Sequence, residues 1–174
     1  MLIVGLAPGM HGANRSGRPF TGDHAGILLY QTLHNFGFAN RSVSVSADDG
    51  LELSDCRITN AVKCLPPQNK PEPMEIRTCN RYLADELDAS PEVQVIVALG
   101  GIAHRSVLVA QKLKQSEFAF KHGARHRLPN SGERGRILID SYHCSRYNTQ
   151  TRRLTPESFA EIFITVRTEL ERLG

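Results

Sequence analysis

The chain has 174 residues, of which 40% are hydrophobic and 22% are charged, and its formal net charge is +3 at pH 7. This length suits one domain with a full hydrophobic core and is too short for two domains of ordinary size. No stretch approaches the ~18 to 20 apolar residues of a membrane helix, and the four cysteines lack the pattern of a small secreted disulfide framework. We therefore expect one domain over residues 1–174, in the reducing cytoplasm and away from membranes.

The first half of the chain alternates short apolar runs with amphipathic segments. Leu2 to Val4 is an apolar run stopped by glycine and predicts a buried strand, and about His24 to Phe36 carries apolar residues at helical spacing. Arg57 to Val62 predicts a second strand. Pro73 fits the first turn of a helix with one apolar face, formed by Ile76, Cys79, Leu83 and Leu87.

The second half repeats this alternation. Glu92 to Leu99 is the clearest strand signal of the chain, and a helix through Ala103, Val107 and Ala110 follows it. Arg136 to Asp140 predicts a fourth strand. Thr155 then caps a last helix with proline at its first position and one apolar stripe, made of Phe159, Ile162, Phe163, Val166 and Leu170. Strands alternating with helices predict an α/β fold, with a parallel sheet covered on both faces.

Ligand sites of such sheets lie in the loops beyond the carboxyl ends of the strands. That rule selects the segments 5–26, 59–73, 100–104 and 141–154. The first is rich in glycine, which lets a backbone approach a ligand closely. Its glycine spacing matches neither a nucleoside-triphosphate loop nor a dinucleotide-binding fingerprint, so a tight turn without a ligand is the alternative.

Three side chains in these loops are candidates for recognition of a planar base. Asn60 follows the second strand, and its amide pairs a donor with an acceptor, although a loop asparagine is more often a turn residue. His143 follows the fourth strand and can donate to developing negative charge, or it can be a hydrogen-bonded structural histidine. Phe20 lies in a polar loop, where an aromatic ring is exposed unless it stacks on something.

Basic residues are concentrated in two groups. The first lies within sixteen positions, opposed only by Glu133, and comprises Lys121, His122, Arg125, His126, Arg127, Arg134 and Arg136. The second comprises Arg146, Arg152 and Arg153. Both flank His143 in the sequence, which supports a phosphate-facing surface, and a solvated loop without a partner is the alternative.

Three long motifs, in order, resemble those of one enzyme family. Residues 5–23 read GLAPGMHGANRSGRPFTGD, residues 58–67 read ITNAVKCLPP, and residues 141–155 read SYHCSRYNTQTRRLT. They are similar to the motifs of the uracil-DNA glycosylase superfamily, most closely family 5 (type B), and the central one also resembles family 4. The similarity covers essentially the whole chain.

The resemblance implies a three-layer α/β/α fold around a four-stranded parallel sheet, and a monomer that repairs DNA containing uracil or other deaminated bases. It implies that Phe20 stacks on a flipped base, that Asn60 reads its pairing edge beside Gly5 and Ala7, and that His143 bonds to the base carbonyl. Contacts with DNA are expected from Ser145, Arg146, Asn148, Arg152 and Arg153. A nucleotide-binding module without catalysis, or an inactive relative of the same fold, remains the alternative.

The residue that activates the attacking water is less clearly indicated. Family 4 enzymes carry glutamate after the first glycine of their first motif, whereas this chain has Leu6, as in the family 5 pattern. Asp23 and Asn14 are the polar residues available in the loop, and Asp23 is preferred because a carboxylate can act as a base. An N-cap for the helix that starts near His24 is an equally good reading of Asp23.

The same family implies a [4Fe–4S] cluster on four cysteines. Cys64 and Cys79, with fourteen residues between them, match the later pair, and no earlier pair precedes the first strand. Either an amino-terminal segment is missing or the cluster is absent, and we expect absence in this chain because two thiolates cannot hold it. Cys79 also lies on an apolar helix face, so a plain buried thiol is the alternative.

Overall fold

The computed structural model describes residues 1–129 and 135–173. Its strands are β1 (Leu2–Gly5), β2 (Arg57–Asn60), β3 (Val95–Leu99), β4 (Arg125–Leu128) and β5 (Arg136–Ser141). Its α-helices are α1 (Ala13–Ser16), α2 (His24–Asn35), α3 (Pro73–Asp88), α4 (Gly101–Ala110), α5 (Arg146–Gln150) and α6 (Pro156–Leu173). None of these helices is long and apolar enough to cross a membrane.

The five strands form one sheet in the order β2-β1-β3-β5-β4. Strands β2, β1, β3 and β5 run parallel, whereas β4 pairs antiparallel with β5 at the edge. The predicted α/β class with four parallel strands is therefore confirmed. The antiparallel edge strand was not predicted, because its sequence Arg-His-Arg-Leu has no apolar alternation.

Helices cover both faces of the sheet, so the fold has three layers. Successive strand residues point to opposite faces. Ile3, Val97 and Ile139 face the layer of α2 and α6, and Leu2, Ile96 and Leu138 face the layer of α3 and α4. All six side chains are buried, and each contributes about 1.5 to 3 kcal/mol through loss of contact with water.

Two helices begin where the sequence predicts, and side-chain bonds cap their first turns. At α3, Pro73 takes the first position and Glu75 accepts the backbone N–H of Glu72 at 2.7 Å, which is one half of a capping box. At α6, the Thr155 hydroxyl accepts the backbone N–H of Ser158 at 3.2 Å, so the predicted cap is confirmed.

Two arginines of the first basic group make their bonds to other parts of the protein. The Arg125 guanidinium makes two bonds to the carboxylate of Glu169, at 2.6 and 2.9 Å. Arg136 is only 5% exposed and donates to the Leu87 and Ser90 carbonyl oxygens. A phosphate-facing surface was therefore the wrong prediction for Arg136, whereas it stays a prediction for Arg125, whose side chain is 37% exposed. Glu133 and Arg134 lie outside the described residues.

Candidate active site

A cavity of about 490 Å³ opens at the carboxyl ends of the parallel strands. Its walls come from the loops after β1, β2, β3 and β5, which are the four segments that the sequence selects. The lining residues are Leu6, Ala7, Gly9, Phe20, Asp23, His24, Ala25, Asn60, Asn69, Leu99, Gly100, Gly101, Ile102, His143, Ser145 and Arg146. The parallel sheet thus brings Phe20, Asn60 and His143 together although they are far apart in the chain.

Asn60 ends β2, opposite Gly5 at the end of β1. The asparagine is 7% exposed, and its amide oxygen is buried with no hydrogen-bond partner in the described chain. A buried acceptor left unpaired costs about 1 to 3 kcal/mol. Since Asn60 lines the cavity, a donor on a ligand can supply the missing bond.

Phe20 forms a neighbouring part of the cavity wall. The residue is 8% exposed, and its ring centroid lies 5.9 Å from that of His143. Its backbone adopts φ +61°, a left-handed conformation that residues other than glycine rarely adopt. Gly26 must remain glycine, because a Cβ atom there would lie 1.9 Å from the Phe20 carbonyl oxygen.

His143 follows β5 and lines the same cavity. Burial lowers the pKa of its imidazole from 6.5 to about 4, so the ring is neutral at pH 7 and carries one N–H. Its backbone carbonyl accepts a bond from the Asn148 side chain at 2.8 Å. Asn148 therefore helps to hold the loop that carries His143.

Asp23 and Asn14, the two candidates for water activation, are placed differently. Asp23 occupies the N-cap position of α2, but its side chain makes no capping bond. Its carboxylate instead fills the space beside Gly12, where a Cβ atom would lie 1.8 Å from Oδ2. Burial raises the pKa of this carboxyl. Asp23 lines the cavity, whereas Asn14 is exposed on α1 and is not among the lining residues.

His24 lines the cavity and was missed by the sequence interpretation. Its Nδ1 atom is buried and has no hydrogen-bond partner in the described chain. The residue begins α2 directly after Asp23. A histidine at the start of an amphipathic helix is ordinary, so the sequence offered no signal for this position.

The segment after His143 forms the rim of the cavity. Ser145 caps α5, its hydroxyl accepting the Asn148 backbone N–H at 3.5 Å, and Arg146 also lines the cavity. Tyr147 is 70% exposed. Arg152 and Arg153 are both exposed, and the Arg153 guanidinium lies 4.3 Å from the centre of the Tyr142 ring.

The cysteines do not form a cluster site by themselves. Cys79 is buried and its sulfur accepts the Lys63 backbone N–H at 3.5 Å, while Cys64 is exposed. In the described residues, no set of three or more possible metal ligands includes either cysteine. Two thiolates do not fit a [4Fe–4S] cluster, which needs about four ligands.

One set of possible ligands does occur, at the edge of the sheet. His104 Nδ1 lies 2.7 Å from Asp140 Oδ1, and His126 Nε2 lies 3.0 Å from Asp140 Oδ2. Ligands of a tetrahedral zinc ion, each about 2.0 to 2.1 Å from the metal, would be about 3.3 Å apart. These shorter distances are those of hydrogen bonds, so the set is a buried polar network that joins α4, β4 and β5.

Comparison with known proteins agrees with this geometry. The model of the uracil DNA glycosylase superfamily matches residues 1–167. A type-5 uracil-DNA glycosylase of Thermus thermophilus is 49% identical over 94% of this chain and 73% of its own length. The type-5 protein of Mycobacterium tuberculosis is 44% identical over 94% of this chain and 60% of its own length.

More distant similarity extends to type-4 proteins. A type-4 uracil-DNA glycosylase of Sulfurisphaera tokodaii is 31% identical over 93% of this chain and 68% of its own length. The chain thus spans 60 to 73% of the length of these three relatives.

Proposed function

This chain belongs to the uracil-DNA glycosylase superfamily, and we propose that it hydrolyses the N-glycosidic bond of uracil, and of other deaminated bases, in DNA. The observation that carries this proposal is the placement of an unpartnered amide, an aromatic ring and a neutral imidazole around one cavity. The expected site of action is the cytoplasm, where DNA would be the partner of a monomeric enzyme.

Recognition of the base would use Asn60 and Phe20. A base within a duplex must be rotated into the cavity, which costs a few kcal/mol and is repaid by contacts inside. The Asn60 amide oxygen can accept the N–H of the uracil pairing edge, and its NH₂ group can donate to a carbonyl of the same edge. The Phe20 ring can stack on the base.

His143 would stabilise the leaving base. When the bond between sugar and base breaks, its electron pair moves onto the base and negative charge develops on the base carbonyl. A neutral imidazole carries one N–H, which it can donate to that oxygen. Comparable oxyanion contacts lower the barrier by ~2.7 to 4 kcal/mol.

Asp23 would act on the sugar side of the reaction. The sugar becomes positively charged as the base departs, and a water oxygen then bonds to its C1′ carbon. The carboxylate of Asp23 can accept a proton from that water and oppose the positive charge. Asp23 lines the cavity, and its side chain makes no capping bond to α2. Both observations support this assignment over Asn14.

The rim from Ser145 to Arg153 would contact DNA. Neutralisation of phosphates by arginine provides affinity, and an aromatic side chain can fill the space that the flipped nucleotide leaves. Tyr147 is the best candidate for that filling role, because it is exposed while the Asn148 amide is bound to the His143 carbonyl.

A lesion panel tests the proposed function. Matched oligonucleotides carrying uracil, hypoxanthine, xanthine or undamaged cytosine are incubated with the protein and cleaved with alkali at abasic sites. We expect cleavage at uracil that His143→Ala strongly reduces. A folded protein that binds free nucleotides yet produces no abasic site from any lesion would contradict glycosylase activity.

A further inference from the structure

The left-handed backbone of Phe20 needs an explanation in its surroundings. Strained backbone at a functional site persists only where neighbouring groups fix it. Two bonds hold the residues on either side of Phe20. The Tyr30 hydroxyl donates to the Pro19 carbonyl oxygen at 2.6 Å, and the hydroxyls of Thr21 and Ser44 lie 2.6 Å apart. The second bond connects the loop to a segment more than twenty residues further along the chain.

Arg18 makes the main connection to that segment, residues 41–51. One guanidinium nitrogen, Nη1, donates to Asp49 Oδ1 at 2.7 Å and to the Ser44 hydroxyl at 3.0 Å. The other, Nη2, donates to the Ala47 carbonyl at 2.6 Å and to the Leu51 carbonyl at 3.4 Å. Such a fork of charge-assisted bonds fixes direction as well as distance.

Asp49 in turn organises the segment that Arg18 holds. Its Oδ2 atom accepts the backbone N–H of Val45 at 2.7 Å, and its Oδ1 atom accepts that of Leu51 at 2.9 Å. The bond from Arg18, together with these backbone bonds, holds the pKa of the Asp49 carboxyl well below its usual range. The carboxylate is therefore charged across the working pH range.

We propose that Arg18 is a positioning residue for the base-stacking ring, acting through Asp49 and the segment 41–51. This inference rests on the proposed function, because it concerns how that site holds its substrate. Arg18 is not among the residues that line the cavity, so in this mechanism its effect on the base passes through Phe20. Without the arginine, Phe20 can relax to a negative φ and its ring leaves the cavity wall.

A double-mutant cycle with Phe20 tests this mechanism. We expect Arg18→Ala to lower kcat/KM on a uracil oligonucleotide about tenfold. The free-energy cost of a strained backbone position is large enough to account for a loss of this size when the strain is released. In a Phe20→Ala background the same substitution should change kcat/KM by less than about twofold, because the ring that Arg18 positions is already gone. Asp49→Asn keeps the side-chain size, and it should change kcat/KM as Arg18→Ala does in both backgrounds.

Arg41→Ala is the matched control, since Arg41 is an arginine of the same segment that does not take part in this bonding; it should behave as wild type. If Arg18→Ala lowered kcat/KM as much in the Phe20→Ala background as in wild type, the proposal would be overturned, because Arg18 would then act on DNA or on the general fold. An unchanged kcat/KM for Arg18→Ala alone would overturn it as well.

Hydrogen exchange separates this inference from the proposed function. Arg18→Ala should increase exchange at residues 18–22 and 41–51 and leave β3 and β5 protected. If the wild-type protein released no base but this exchange pattern appeared, the proposed function would fail while the connection through Arg18 would stand. Unchanged exchange in both segments would overturn the connection itself.

Discussion

Gly5 and Asn60 are partners at the last position of the β1–β2 pair, and the Asn60 amide oxygen lies beside the place where a side chain on residue 5 would begin. A Cβ atom on Gly5 would lie 2.5 Å from the Asn60 amide oxygen and 2.7 Å from the end of the Phe20 ring. The absence of a side chain at residue 5 therefore lets the amide and the ring enter the same cavity wall.

Gly5→Ala should damage the site more than the fold. The new methyl group must displace Asn60, Phe20 or both, and a shift of about 1 Å in a positioned group can cost about 100-fold in rate. We expect a loss of that order in kcat/KM on a uracil oligonucleotide. Thermal unfolding is the control for folding. A folded variant with wild-type kcat/KM would show that Asn60 and Phe20 need not hold these positions.

The low pKa of His143 predicts a particular pH dependence of stability. The imidazole binds a proton near pH 6.5 in the unfolded chain and only near pH 4 in the folded protein. The unfolded state therefore binds more protons between these values, and the free energy of unfolding falls as the pH falls through this window. The contribution of this one group is at most about 3 kcal/mol.

Urea unfolding of wild type and His143→Gln at pH 7.5 and pH 4.5 measures this contribution. The variant should lose less stability than wild type on acidification. Equal losses in the two proteins would mean that His143 is not held neutral by burial. We also expect that protonation of His143 does not change the wild-type catalytic rate near pH 6.5. Any change of rate near that pH should therefore persist in His143→Gln.

Arg152 and Arg153 are predicted to contact phosphates. Their joint change to alanine should weaken binding to all DNA sequences alike and flatten the slope of log affinity against log salt by roughly two units on duplex DNA. The control is Lys112→Ala with Lys114→Ala, an equal loss of charge beyond the far end of α4. Unchanged affinity and slope in the arginine variant would exclude this rim as the DNA-facing element.

Iron content tests the interpretation of the cysteines. The 174-residue chain, purified without added metal, should contain no stoichiometric iron and show no brown colour, because Cys64 and Cys79 supply two of about four required ligands. Elemental analysis gives the answer directly. Four iron atoms per chain would contradict the prediction and would bring Cys56 or Cys144 into consideration as ligands.

The features that could be predicted from the sequence are those that follow from local pattern and sheet geometry. Apolar strands alternating with amphipathic helices fix a parallel sheet, and a parallel sheet brings its strand ends to one edge. Asn60 and His143 could therefore be placed in one site from their positions after strands. Their individual roles came from the family resemblance rather than from these patterns.

The features that were missed depend on contacts between distant residues. Strand β4 is polar and is held by backbone pairing with β5, which leaves no periodic signal. The bond from Arg18 to Asp49 spans thirty-one positions, and nothing near either residue indicates it. The sequence interpretation placed Arg136 on the surface, but the residue is buried and donates to backbone carbonyls within the fold.

Release of free uracil from a labelled oligonucleotide by wild type and Asn60→Ala tests the central claim most directly. Wild type should release uracil and leave an abasic site, and Asn60→Ala should do so at least about 100-fold more slowly. The variant should be at least as stable as wild type to urea, because it loses a buried acceptor without a partner. A wild-type rate in Asn60→Ala, or a folded wild-type protein that releases no base, would contradict the account.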